Sequence, residues 1–246
     1  MKAVIFSGTT EGRKLSRLLA EAGAKVTVCV ASEYGSEEQG NIPYGEIRIG
    51  PLTTDEKREL LQDSDLCIDA THPYATHVTA SIQEACNETG TEHLRLLRSA
   101  SNVNIKGATV LESAADAADW LNKREGNILL TTGTKELRDF QIISPERLFP
   151  RVLPSHESIA ACEAASIPHR NIIAMQGPCT TEMNTATIRQ FNISFVVTKD
   201  GGVPGGFPEK AAAAAETGAH LIVLRRPEEQ GLSFDEVLNL CMSRLS

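Results

Sequence analysis

The sequence predicts an α/β protein made of parallel sheets wound on both faces with helices, a pattern that runs twice along the chain. Three observations carry this. Short runs of Val, Ile and Leu alternate with stretches of helical periodicity, without a clear hairpin signal, so crossovers join the strands. Aromatic residues make up only 4% of the chain, so the core rests on aliphatic side chains, as buried parallel sheet does. Four strand-to-helix junctions are unusually small and polar, and strand ends are where such folds bind ligands.

Residues 2–7 form an apolar run ending at Gly8 and read as a buried first strand. Residues 9–22 carry Leu15, Leu18, Leu19 and Ala22 at helical spacing, and Gly23 stops that helix. Strands follow at 25–31, 46–49, 66–70 and 94–97, with helices at 54–62 and 76–87, the latter ended by Gly90. A doubly wound sheet of order 3-2-1-4-5 places the fourth strand beside the first. After a polar stretch at 99–107 the pattern restarts. A helix at 113–123 precedes strands at 127–131, 148–152, 171–175, 195–198 and 221–224, with helices in the gaps and one closing the chain at 234–245. The expected domains are therefore 1–99 and 100–246. Two such units facing each other leave a crevice, the usual place for a ligand.

With 246 residues, 41% hydrophobic and 23% charged, the chain has the profile of a globular protein. Its formal net charge is -8 and no basic stripe stands out, which argues against nucleic acid and anionic membrane as partners. An anionic ligand would have to be held by local cations and backbone N–H groups. None of the six cysteines lies in a CxxC spacing, so they read as reduced, packed thiols of a cytoplasmic protein. The apolar run at 1–8 is too short for a signal peptide, and no stretch has the length of a membrane span. His72 and His77 alone do not make a metal site. Oligomeric state is not readable from these features.

The first polar junction is Ser7-Gly8-Thr9-Thr10-Glu11-Gly12-Arg13. A pyrophosphate needs a tight turn, close backbone approach and free helix N–H groups. Gly8 and Gly12 can supply the turn and the packing, Thr9 and Thr10 hydroxyl donors, and Arg13 a charge. The loop departs from G-x-G-x-x-G, because Thr10 replaces the middle glycine. Its plain alternative is a helix start capped by Thr10 or Ser7. The second junction, Asp69-Ala70-Thr71-His72-Pro73-Tyr74-Ala75, would flank the first at the topological switch point. Pro73 stiffens the turn. His72 and Tyr74 can hydrogen-bond a ligand or relay a proton, unless His72 is a structural loop histidine.

The third junction is Thr131-Thr132-Gly133-Thr134-Lys135. It lacks the G-x-x-x-x-G-K spacing, yet small donors with Lys135 at a helix start suit an anion as well as they suit a plain turn. The fourth runs from Thr198-Lys199-Asp200 through Gly201-Gly202-Val203-Pro204-Gly205-Gly206 to a helix starting near Pro208. Glycines at this density permit positive φ and close approach to a ligand. Lys199 and Asp200 at the strand end are candidates for acid/base chemistry or charge positioning, the alternative being a surface ion pair. The turn Met175-Gln176-Gly177-Pro178 is expected to neighbour this loop.

Together, G-T-T-E-G-R at 8–13, D-A-T-H-P-Y-A at 69–75, T-T-G-T-K at 131–135 and T-K-D-G-G-V-P-G-G at 198–206 resemble the precorrin-6A reductase family of cobalamin biosynthesis, which includes cobalt-precorrin-6A reductases. The likeness covers nearly the whole chain in order and spacing. It implies two Rossmann-like domains with a dinucleotide in the cleft between them. It also implies an NAD(P)H-dependent oxidoreductase acting on a CH–CH group, which turns (cobalt-)precorrin-6A into (cobalt-)precorrin-6B. Hydride would go to C19 of the tetrapyrrole macrocycle and a proton to C18.

By matching position, Gly8, Thr9, Thr10, Glu11, Gly12 and Arg13 would meet the cofactor phosphates. Ser32, Thr71, His72, Pro73, Thr132, Gly133, Thr134, Lys135, Gln176 and Gly177 would complete the cofactor's surroundings. Tyr74, Gly201, Gly202, Gly205 and Gly206 would border the substrate, and Lys199 and Asp200 the reacting centre. Many family members carry Ser where this chain has Gly201, so no hydroxyl role transfers to that position. Glu33 after the second strand favours NADH, whereas Ser32 and Arg13 suit a 2′-phosphate; NADH and NADPH both stay open. Arg95, Arg98, Arg151, Arg170 and Lys210 are candidate cations for the substrate carboxylates, each also readable as a solvated surface charge. On the loops alone, a nucleotide- or S-adenosylmethionine-dependent transferase and a non-catalytic dinucleotide sensor remain as other readings.

Overall fold

The computed structural model describes residues 1–97 and 107–245. The chain divides into two compact units, Met1–Ser99 with Pro227–Ser246, and Ala100–Arg226. In the first unit the elements run β1 (Lys2–Ser7), α1 (Thr10–Glu21), β2 (Lys25–Val30), α2 (Glu33–Gln39), β3 (Glu46–Ile49), α3 (Thr54–Gln62), β4 (Leu66–Ala70), α4 (Thr76–Thr89) and β5 (Glu92–Arg95). The strands are ordered β3-β2-β1-β4-β5, and every neighbouring pair is parallel. In β1, Ile5 enters one apolar cluster with Leu15, Leu19, Val28 and Ile68. Val4 and Phe6 enter another with Leu61, Cys67 and Ile82. This alternation is what a strand buried on both faces requires.

The helix α2 was not expected. Its sequence, EYGSEEQ, has no apolar stripe at helical spacing and contains a glycine. Two local devices hold it. The Ser32 hydroxyl accepts the Gly35 N–H at 3.1 Å. At the other end Gln39 is fully buried, accepting from Ser7 Oγ at 2.9 Å and donating to Ser16 Oγ at 2.8 Å.

The second unit comprises β6 (Thr109–Leu111), α5 (Ala114–Asn122), β7 (Asn127–Leu130), β8 (Leu148–Val152), α6 (His156–Ala164), β9 (Ile173–Ala174), α7 (Thr181–Gln190), β10 (Ile193–Lys199), α8 (Phe207–Thr217) and β11 (His220–Leu224). The sheet order is β6-β11-β10-β7-β8-β9, again with parallel pairs. Val197 faces a cluster with Ala117, Leu121 and Phe140. Val196 faces one with Ile188, Phe207 and Ala214. Between β7 and β8 the connection is two 3-10 turns, Leu137–Ile142 and Pro145–Arg147, not the α-helix that the sequence pattern suggested.

The second unit also ends earlier than expected. After Arg226 the chain returns to the first unit, where α9 (Phe234–Ser243) packs on α1. Val237 and Cys241 join the Ile5 cluster, and Leu232 bridges Leu96. A capping box between Ser233 and Glu236 starts α9, and Arg244 pairs with Glu92 at 2.7 Å. Among the described residues, no helix is long and apolar enough to cross a membrane.

Candidate functional site

The first and second polar junctions meet where the sheet order reverses. The strands β1 and β4 are neighbours in register through Ser7↔Ala70, so the loops that follow them emerge side by side. Gly8 donates its N–H to the Ala70 carbonyl at 3.1 Å, and the Thr9 hydroxyl donates to the same oxygen at 3.1 Å. A Cβ at Gly8 would lie 3.2 Å from the His72 nitrogen and 3.3 Å from the Thr71 Cα. A side chain here would press on the neighbouring loop, so glycine eases the close approach of the two backbones. One turn on, a Cβ at Gly12 would lie 2.7 Å from the Ala70 Cβ, so this glycine seats α1 against β4.

The cap of α1 is Thr9, whose hydroxyl accepts the Gly12 N–H at 3.2 Å, and not Thr10 or Ser7. Thr10 instead accepts from Arg13 at 3.1 Å, and Arg13 pairs with Glu38. Arg13 is thus already engaged with a carboxylate on α2. Ser32, the other candidate near this edge, uses its hydroxyl as the α2 cap.

Behind the Thr71–Tyr74 turn lies an ionic assembly that sequence reasoning did not foresee. Asp69 is fully buried at the end of β4 and accepts the Thr71 N–H at 3.0 Å and its hydroxyl at 2.7 Å. Arg95 on β5 donates to the same carboxylate at 2.9 Å and to Thr71 Oγ1 at 3.2 Å. Its other side pairs with Glu229, brought back by the returning chain end. Arg95 is therefore a structural cation that fixes the turn, not a free receptor for substrate. Within the turn, Pro73 is buried and the Tyr74 N–H reaches His72 Nδ1 at 3.4 Å. The His72 and Tyr74 rings lie 5.6 Å apart.

In the second unit, the third and fourth junctions follow β7 and β10, which are paired. The Lys199 ammonium donates to the Thr132 carbonyl at 3.0 Å and pairs with Glu136. Glu136 lay outside the motif read from the sequence. It is sixty-three positions from its partner, and only the parallel pairing brings the two together. The Thr132 hydroxyl and Glu136 Oε2 are buried with no hydrogen-bond partner among the described residues. Lys135 is exposed and precedes a 3-10 turn, so it does not sit at an α-helix start. Gly133 carries a positive φ in the same loop, which also contains half-buried Thr134.

Asp200 accepts the Gly202 N–H at 3.1 Å, which starts the glycine loop as a tight turn. Val203–Gly205 form a 3-10 turn, and α8 opens at Phe207 with Pro208 in its first turn. Gly206 has φ 65°, and a Cβ there would lie 3.1 Å from the Pro178 Cβ. The Gln176-Gly177-Pro178 turn does neighbour this loop, as expected. Gly201 and Gly202 are buried, whereas Gln176 and Gly177 are exposed.

The remaining candidate cations differ sharply. Arg170 is exposed and pairs with Glu146. Arg98 lies outside the described residues. Arg151 is buried on β8 and donates through Nη1 to Asn184 Oδ1 at 2.7 Å. Lys210, half-buried in the first turn of α8, donates to the Gly205 carbonyl at 2.8 Å. Desolvation, reinforced by the Arg151 charge, pushes the Lys210 ammonium down to about 8.

Glycine-tight loops at the carboxyl ends of parallel strands define a ligand-binding α/β enzyme of the doubly wound class. A profile of the family described as precorrin-6x reductase CbiJ/CobK matches residues 2–242. The chain belongs to this family and is an oxidoreductase of it. It is 36% identical over 235 residues to the cobalt-precorrin-6A reductase of Methanothermobacter thermautotrophicus, covering 93% of this chain and 77% of that one. With the cobalt-precorrin-6A reductase of Priestia megaterium the identity is 29%, over 98% of each chain. Among solved structures, a CobK precorrin-6A reductase superposes with a TM-score of 0.79 at 23% identity, covering 100% of this chain and 98% of that chain, a likeness of fold.

Proposed function

We propose that this chain reduces one ring double bond of cobalt-precorrin-6A to give cobalt-precorrin-6B, using NADH or NADPH. The observation that carries the cofactor half is the cradle at Gly8, where backbone replaces side chain at the switch point of the first sheet. It suits a pyrophosphate, because the α1 start presents N–H groups beside a surface with no Cβ in the way. Once bound, the dinucleotide supplies the hydride. The rest falls to this chain's own residues. Thr9, Gly12 and the Thr71–Pro73 turn hold and orient the cofactor, and the Asp69–Arg95–Glu229 assembly keeps that turn in place.

In the second unit, Glu136 and the Thr132 carbonyl fix the direction of the Lys199 ammonium. A placed cation stabilises the electron shift as the conjugated system accepts hydride at C19. Asp200 delivers the proton to C18, directly or through a water. Of this unit's own loops, Gly201–Gly206 contacts the macrocycle, and Thr132–Lys135 and Gln176–Gly177 contact the cofactor. The choice of the cobalt form follows the relatives of 36% and 29% identity. A cytoplasmic location belongs to the same reading and draws on six cysteines that are all free and buried.

The test is anaerobic incubation with cobalt-precorrin-6A and with metal-free precorrin-6A, each with NADH and with NADPH, following nicotinamide absorbance. Oxidation that requires the cobalt macrocycle is the expected result. Dinucleotide binding with no oxidation in any mixture would sink the reductase reading in favour of a sensor. No dinucleotide binding at all would favour a transferase.

A further inference from the structure

Burying a guanidinium normally requires a carboxylate partner, or enough hydrogen bonds to replace its water. Arg151 has neither. Of its five N–H donors, only those on Nη1 meet an acceptor among the described residues, and that acceptor is the neutral Asn184 amide. The amide is held in turn, because Asn184 Nδ2 donates to the Cys179 carbonyl at 3.1 Å and the Thr180 carbonyl at 2.8 Å. A second cation, Lys210, stands close enough for Arg151 to disfavour its charge, and its partner is also neutral, the Gly205 carbonyl. Neither residue forms an ion pair among the described residues, not even with Glu209, whose Oε2 is buried without a partner. Lys210 also sits in the first turn of α8, where the helix dipole opposes a cation. Folding alone gains nothing from this concentration of positive charge in an otherwise acidic protein.

We propose that Arg151 and Lys210 form a receptor for an oxyanion in the second unit, one that takes a carboxylate or phosphate group of a ligand. For the source of that anion the inference rests on the reductase reading, which offers macrocycle carboxylates and dinucleotide phosphates. Arg151 supplies a fork of unpaired donors and Lys210 a point charge, so the anion gains two charge-assisted bonds and relieves the repulsion between the cations. Asn184 is a positioning residue that orients the guanidinium.

The first experiment follows Lys210 in the wild-type protein by NMR of 13C-labelled lysine, with citrate and with pyrophosphate as probes. The groups facing Lys210 are Arg151, Cys179 and Glu209. Bound anion restores the favoured state of the ammonium, so its titration moves up from about 8 with a saturable dependence on probe. The shift should vanish in Arg151→Gln. No movement with either probe overturns the receptor, whatever the enzyme's activity.

The second experiment assigns the source by measuring KM for cobalt-precorrin-6A and Kd for NADPH in Lys210→Met and Arg151→Gln. Loss of a charge-assisted bond predicts an effect of about tenfold to a hundredfold. A rise in KM alone assigns the macrocycle carboxylate, and a rise in Kd alone assigns the dinucleotide phosphate. Unchanged values for both contradict the proposal. The melting temperature separates this from a structural role, because Lys210→Met should hold or raise Tm while binding weakens. A large fall in Tm with binding intact would mark Lys210 as structural and contradict the receptor.

Discussion

The strand-end regions of the two units handle charge in opposite ways. In the first, Arg95 lies between Asp69 and Glu229, and Arg13 pairs with Glu38. What that region leaves available is backbone, brought close by Gly8 and Gly12. In the second, Lys199 is paired with Glu136, but among the described residues Arg151 and Lys210 have only neutral acceptors. A neutral, backbone-lined edge suits a rigid pyrophosphate, whereas unbalanced side-chain charge suits a ligand with several carboxylates. If both regions bind as proposed, a protein of net charge -8 receives polyanions without a basic surface, by withholding counter-ions at a few positions.

The comparison breaks most visibly at Lys199. Replacing it with Ala should lower kcat by about 10²- to 10⁴-fold with cofactor affinity nearly unchanged, as removal of a placed charge or proton donor does. Normal turnover in both Lys199→Ala and Asp200→Ala would remove the reacting centre from the second unit. Next in size is Asp69→Ala, which leaves Arg95 buried beside Thr71 without one of its two carboxylate partners. Chemical denaturation should show a loss of about 3–5 kcal/mol. A loss under about 1 kcal/mol would mean that Glu229 alone suffices.

Gly12→Val should cost about 1–3 kcal/mol, since the added carbons meet Ala70 at the α1–β4 contact. Gly8→Ala, by contrast, should fold normally and weaken dinucleotide binding about tenfold or more, measured by fluorescence titration.

A subtler contrast lies in pH. The Lys210 ammonium is pushed down to about 8 in the folded protein against an ordinary value of 10.5. Between those pH values the unfolded chain holds a proton that the folded one has released, so stability contributed by this group rises with pH. Below about pH 8 the charged form is buried at full cost. Urea unfolding of wild type and Lys210→Met should therefore converge as pH climbs through this window, and a constant gap would contradict the assignment. The smallest effect belongs to Arg170→Ala, an exposed pair with Glu146, where a change within about 0.5 kcal/mol is expected.

Much of the fold was legible because strand burial writes itself into short aliphatic runs. The spans 2–7, 46–49 and 66–70 and the helix at 54–62 coincide with β1, β3, β4 and α3. The loops were legible for a related reason, since close approach and positive φ favour glycine, as at Gly8 and Gly206. What escaped depends on partners far apart in the chain. Glu136, Asn184, Gln39 and Glu229 carry no local signature, and their roles exist only once Lys199, Arg151, Ser7 and Arg95 are brought to them. The return of α9 to the first unit escaped likewise, because an amphipathic helix does not encode which sheet it will cover. Arg95, Arg151 and Lys210 look alike as letters, and only burial and pairing separate a structural cation from a receptor.

The most direct test of the central claim is to run the reaction with nicotinamide dinucleotide deuterated at the transferable C4 position and locate the label by NMR in the reduced macrocycle. Deuterium is expected at C19 in ordinary water, and at C18 instead when unlabelled dinucleotide reacts in heavy water. A reduced macrocycle carrying no label from the dinucleotide, or no reduction at all by folded protein, would contradict that claim.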